Sequence, residues 1–188
     1  KSNQNFYEKG DLVIFKKNNL KIIFDKRKGL TLDTIFINNK KFPICTIKHG
    51  ELDLIKHGAD FFTGTTIIES SETKKISDLI EVEKINFYEI DDNNFKIEVS
   101  IEMKQGIKEL KSWTIDTKKY TIKFDLFLDC PIFIRGIIRV GVITLDKTFA
   151  LKNGIIKVKN GNKYYEKIEL KNSELDQHTT KSLTQSST

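Results

Sequence analysis

The chain has 188 residues, 38% of them hydrophobic and 31% charged, enough for one domain with its own core and no disulfide support. Its net charge of +6 comes from lysines that alternate with acids, as in Lys96–Glu98 and Lys108–Glu109–Lys111. That pattern reads as a solvated surface, not the basic, aromatic-studded stripe of a nucleic-acid reader; no apolar run approaches the roughly 20 residues of a membrane helix, and no signal peptide is visible. No nucleic acid and no membrane are expected as partners.

In chain order, Leu12 to Phe15 reads as a strand, Lys17-Asn18-Asn19 as a turn and Leu20 to Phe24 as the next strand. Asp25 to Gly29 is a charged loop. Leu30 to Ile37 is a strand whose apolar phase slips between Leu32 and Ile35, which implies a bulge. Asn38-Asn39 turns the chain into Phe42 to Ile47, an edge strand or strand start by its Pro43. Residues 48–64 lose the alternation and read as a long structured loop. Strands resume at Thr65–Glu69, Leu79–Lys84 and Phe87–Ile90, and Asp91-Asp92-Asn93-Asn94 is a turn.

The strongest signal follows. Phe95, Ile97, Val99, Ile101 and Met103 alternate with polar residues, the mark of a half-buried strand. Gln105-Gly106 turns, Ile107 to Ile115 is mixed but rich in β-formers, and Asp116-Thr117-Lys118 turns again. Tyr120, Ile122, Phe124, Leu126 and Leu128 then alternate, completing a meander. Ile132 to Leu145, the most apolar segment, predicts a long core strand or two strands hinged at Gly136 or Gly141. Ile155–Val158 and Tyr164–Leu170 are weaker strands, and residues 172–188 are a polar C-terminal segment. The whole predicts an all-β, antiparallel β-sandwich in a single domain, 1–188, with a barrel as the alternative closure. The first residue is Lys1, not Met, and the chain is expected to be a piece of a longer protein.

Chemistry concentrates between His49 and Gly64, which hold two of the three histidines, Glu51, Asp53, Asp60, Phe61, Phe62 and three glycines. A His beside a carboxylate works as an acid or base near neutral pH, and aromatic faces with carboxylates suit a sugar. His49, Asp53, His57, Asp60 and Phe62 are therefore candidate ligand-binding residues, against the plainer reading of strand-end histidines, a turn cap and a plug of the sandwich. Glu69, after the loop, is a candidate partner for Arg135 or Arg139. Arg135 sits in an apolar run and must pair or face a cavity. Trp113 shares a face with Ile107 and Ile115; core packing is favoured over a sugar platform, and it stays among the candidates. His57 and Asp60 lack firm further ligands, so no metal is expected, and no cofactor fingerprint occurs. Cys45 and Cys130, far apart in apolar runs, read as buried thiols in a reducing, cytoplasmic compartment.

The run His49-Gly50, Gly58-Ala59-Asp60-Phe61-Phe62-Thr63-Gly64, Glu69, Lys74-Lys75 and Ser77-Asp78-Leu79 resembles a β-sandwich module attached to family 57-like glycoside hydrolases. Asn19 to Phe24 through Lys28-Gly29-Leu30 is similar to the first strands of the supersandwich of galactose mutarotase-like domains. The resemblance implies a carbohydrate-associated accessory domain, non-catalytic on its own, whose partner is a carbohydrate or an adjacent domain of the parent protein. Catalytic carboxylates of such glycosidases belong to a separate barrel. A mutarotase or epimerase is the alternative, with His49 or His57 working beside Asp60 or Glu69; a purely structural or partner-binding module is the third reading.

Overall fold

Phe95, Ile97, Val99 and Ile101 are buried, while Ser100 and Glu102 between and beyond them are exposed. Period-two alternation thus becomes one dry face and one wet face, and the same rule builds the rest of the chain. The computed structural model describes residues 4–45, 62–70, 75–144, 155–158 and 166–169.

Strands β1 (Phe6–Lys9), β2 (Leu12–Lys17), β3 (Leu20–Asp25), β4 (Thr31–Ile37) and β5 (Lys40–Cys45) form an antiparallel meander in sequence order. Asn38 and Asn39 both have positive φ (52° and 62°), the mark of a two-residue hairpin turn that matches the strand twist. The expected bulge is there. Ile23 pairs with Thr34 and Phe24 with Leu32, leaving Asp33 over. Between β3 and β4 a 3-10 turn, Lys26–Lys28, is capped by the Asp25 carboxylate and ends at Gly29 in the left-handed region.

Strands β6 (Ile67–Ser70) and β7 (Ile76–Ser77) follow, then β8 (Asn86–Glu89), β9 (Asn94–Glu102), β10 (Lys108–Asp116) and β11 (Thr121–Asp129). The last four make a second antiparallel meander, in spatial order β11-β10-β9-β8. Strand β12 (Gly136–Arg139) joins β6 and β7 in the order β12-β6-β7, and β13 (Ile155–Val158) pairs with β14 (Glu166–Glu169). No α-helix occurs among the described residues, and so none long and apolar enough to cross a membrane.

The two meanders share one core. Phe15 of β2 meets Phe95 of β9 at 5.2 Å between ring centres, Phe6 meets Phe87 at 4.9 Å, and Phe24 meets Trp113 at 5.9 Å. The architecture is all-β, antiparallel and sandwich-like.

Two expectations need correction. Leu79–Lys84 is not a strand: its backbone bonds go to the 3-10 turn, with Val82 N–H donating to Lys26 O and Gly29 N–H donating to Ile80 O. Ile132 to Leu145 is not a long core strand. Among its described residues only Gly136–Arg139 forms a strand, at the edge of the three-stranded sheet, with Val142 adding backbone bonds to Gly64 and Thr65, and Phe133 is 90% exposed.

Candidate functional site

Strand β10 runs between β9 and β11, so its inward side chains sit in mid-sheet. Glu109, Lys111, Trp113 and Ile115 have the same parity and are all buried, whereas Leu110 is 40% exposed. A strand presents alternate residues to one face whatever their chemistry, and here the register carries an acid and a lysine into the core. Assigning Glu109 and Lys111 to the solvated surface is therefore wrong for both.

Three charged side chains with no solvent exposure meet there: Lys111, Asp78 and Glu109. The Lys111 ammonium donates to Asp78 Oδ2, and to the Gly29 carbonyl at 2.8 Å. Glu109 Oε1 lies 3.5 Å from the same nitrogen. Asp78 follows β7 and is fixed through its backbone, its N–H donating to Thr66 O and its carbonyl accepting from Ile80 N–H. Gly29 belongs to the first meander and Lys111 to the second. One ammonium thus ties together three separate sheets or their connections.

Gly29 is required twice over. Its φ is +61°, and a Cβ there would stand 2.1 Å from the Asp78 carbonyl oxygen and 3.1 Å from the Ile101 side chain. The close approach that lets the Gly29 carbonyl reach Lys111 has no room for a side chain.

Electrostatics follows from burial. Two carboxylates face one ammonium. Desolvation pushes the Glu109 carboxyl up to about 7; Lys111 opposes that rise and Asp78 adds to it. Desolvation also raises Asp78, against the pull of Lys111. Asp78 Oδ1 and both Glu109 oxygens have no hydrogen bond of good geometry among the described residues. The cluster therefore holds a nucleophile-capable amine, a carbonyl carbon beside it and a carboxyl that exchanges protons near neutrality.

The residues singled out from the sequence fare differently. His49, Asp53, His57 and Asp60 lie outside the described residues. Phe62 is buried, with the Lys28 ammonium 4.2 Å over its ring. Trp113 is packed between Phe124 at 4.2 Å and Phe24, its indole N–H donating to Leu30 O at 3.1 Å. Gly64 closes over the same indole, where a Cβ would come within 2.5 Å. With its faces covered, Trp113 is core and not a sugar platform. Glu69 pairs with Arg139, one of its two expected partners, by side-chain contact from β6 to β12. Arg135 is exposed just before β12 and joins neither Trp113 nor Phe62 in a cleft. Sequence reasoning passes over Gly29, Asp78, Glu109 and Lys111. The shared parity of Glu109 and Lys111 with Trp113 and Ile115 was the signal that could have found half of them.

A surface depression of about 370 Å³ lies among turns, lined by Asp91 to Asn94, Asp116, Lys118 and Lys119. Two of its three carboxylates are spent on the backbone. Asp91 accepts from the N–H groups of Asn93 and Asn94, which with the Asn94 side chain hold it below the usual carboxylate range, and Asp116 accepts from Lys118 and Lys119 N–H. Cys130 carries a free thiol.

Fold and cluster together define an antiparallel all-β chain with a charged triad sealed in its core. Searches among protein-family models, curated proteins and solved structures find no match to this chain.

Proposed function

We propose that the chain is a non-catalytic structural module, a stiff β scaffold that serves an adjacent domain or partner. One observation carries this reading: the densest charged cluster among the described residues, Lys111, Asp78 and Glu109, is turned into the core with no exposure and spans the sheets. Buried charge of this kind gives a substrate no access, and it fixes how the sheets sit against one another. Trp113 and Phe62, the two aromatics singled out from the sequence as sugar contacts, are spent on packing.

Carbohydrate association and a mutarotase-like activity rest on His49, Asp53, His57 and Asp60 and on the resemblance stated above. Thermal unfolding with and without a panel of mono- and oligosaccharides tests the scaffold against both. The expected result is an unchanged midpoint, together with anomer equilibration no faster than in buffer. A saturable rise of the midpoint with one sugar, or accelerated mutarotation, would overturn the scaffold reading.

A further inference from the structure

We propose that Lys111 and Asp78 join covalently, forming an amide between Lys111 Nζ and Asp78 Cγ, with Glu109 carrying the proton. The proposal deepens the scaffold reading and rests on it only for its purpose, not for its chemistry.

Geometry supplies the reactants. The Lys111 ammonium already donates to Asp78 Oδ2, and both side chains are wholly buried. Gly29 O fixes the nitrogen from a second direction, and Asp78 is pinned by its own backbone bonds to Thr66 and Ile80. Two reacting groups held this way act at an effective concentration that reaches about 10⁵ M or more in well-oriented cases. The surroundings are apolar, with Trp113 and Ile115 on the same strand face and Ile101 beside Gly29. In such a medium a buried ion pair is poorly compensated, and its neutral form becomes accessible.

The step balances without any co-reactant. The ammonium passes one proton to Asp78 Oδ2, giving a free amine and a neutral carboxylic acid. The nitrogen lone pair attacks Cγ and forms the C–N bond. Glu109, with Oε1 3.5 Å from that nitrogen, accepts a second proton from it and returns a proton to the hydroxyl of the tetrahedral carbon. The C–O bond breaks, water departs and Glu109 regains its starting state. One ammonium and one carboxylate become one amide and one water. A carboxyl raised towards neutrality by burial suits this exchange.

The product closes a loop across residues 33 apart in sequence and welds β10 to the connection after β7. Such a tie constrains the unfolded chain as a disulfide does, in a bond that no reductant cleaves.

Intact mass spectrometry of the purified full chain under denaturing conditions tests it. The expected mass is lower than that of the sequence by one water. Tryptic digestion should give a branched species joining Ile76–Lys84 to Glu109–Lys118, uncut after Lys111. Glu109→Gln, which keeps size and shape, should restore the full mass in a chain whose circular dichroism is still β. Lys111→Arg, unable to form the bond, should show the full mass too. A folded wild-type chain at the full sequence mass overturns the proposal and leaves the scaffold reading standing. A loss of water located at other residues overturns it as well, and a persisting loss in folded Glu109→Gln overturns the role of Glu109.

Discussion

Gly29 carries more of the cluster than its size suggests. Any side chain at this position meets two costs at once: a left-handed backbone at φ +61° and a Cβ placed 2.1 Å from the Asp78 carbonyl oxygen. The first alone is worth about 1–2 kcal/mol for an L-residue. Gly29→Ala should therefore lower unfolding free energy by more than about 2 kcal/mol in a urea titration, whereas Gly10→Ala, with open space around the added Cβ, should cost only the backbone part. A Gly29→Ala loss no greater than that of Gly10→Ala would show that the approach to Asp78 is not tight. Lys111→Met keeps an unbranched side chain one atom shorter and removes its charge. It leaves two carboxylates in a dry core, and breaking a buried pair in this way costs about 3–5 kcal/mol. Denaturant melts should show a loss in that range; a loss under about 1 kcal/mol would mean that the cluster is hydrated. At this scale the sequence was half legible. The parity of β10 was visible, yet Lys and Glu are so rarely buried that surface was the natural assignment. Asp78 and Gly29 lie far from β10 in sequence, and only tertiary contact joins them to it.

Elements with strict alternation and clear punctuation are where sequence and structure agree. The strands β9 and β11, the turns at Asp91–Asn94, Gln105-Gly106 and Asp116–Lys118, and the bulge at Asp33 all follow from local stereochemistry. The segment Ile132 to Leu145 shows the opposite case. Apolar content here announces neither burial nor pairing: Phe133, Ile137 and Ile143 are exposed, and β12, four residues long, is the one strand among the segment's described residues. The hairpin between β4 and β5 makes a prediction at this scale. Both loop residues, Asn38 and Asn39, have positive φ, and Gly tolerates that at lower cost than Asn. Asn39→Gly should leave stability unchanged or raise it by up to about 1 kcal/mol in thermal melts. A loss of that size would show that the Asn39 side chain makes a bond the turn needs. Neighbouring positions on β11 should separate sharply. Phe124 stacks on Trp113, and Phe124→Ala should cost about 2 kcal/mol or more. Phe127 is 67% exposed, and Phe127→Ser should stay within about 0.5 kcal/mol. Equal losses at the two positions would mean that the outer face of this sheet is covered.

Across the whole molecule, the buried triad couples the fold to protons. Which sheet faces which was not legible in the chain, because it depends on contacts such as Phe15 with Phe95 and Lys111 with Asp78, and so the consequence was not legible either. Glu109 titrates near 4.5 when unfolded and at about 7 in the native core. A group whose folded pKa is raised holds its proton more tightly in the native state. Its contribution is complete below about pH 4.5 and is lost as pH rises towards and through about 7. A shift of this size corresponds to on the order of 3 kcal/mol. Asp78, also raised by burial, acts with the same sign. Asp91, held low by turn N–H groups, acts oppositely and only in acid, below its ordinary carboxylate range. Unfolding free energy from urea titrations should therefore fall between about pH 4.5 and 7. The difference between the wild type and Glu109→Gln is the informative quantity, because it isolates the contribution of Glu109. That difference should shrink or change sign as pH rises, because Gln carries no charge to bury. An amide between Lys111 and Asp78 adds an offset that does not vary with pH and removes both the Lys111 cation and the titrating Asp78 carboxyl, which leaves Glu109 to set the direction of the slope. Parallel pH profiles for the two proteins would show that Glu109 titrates alike in the folded and unfolded states and reaches water.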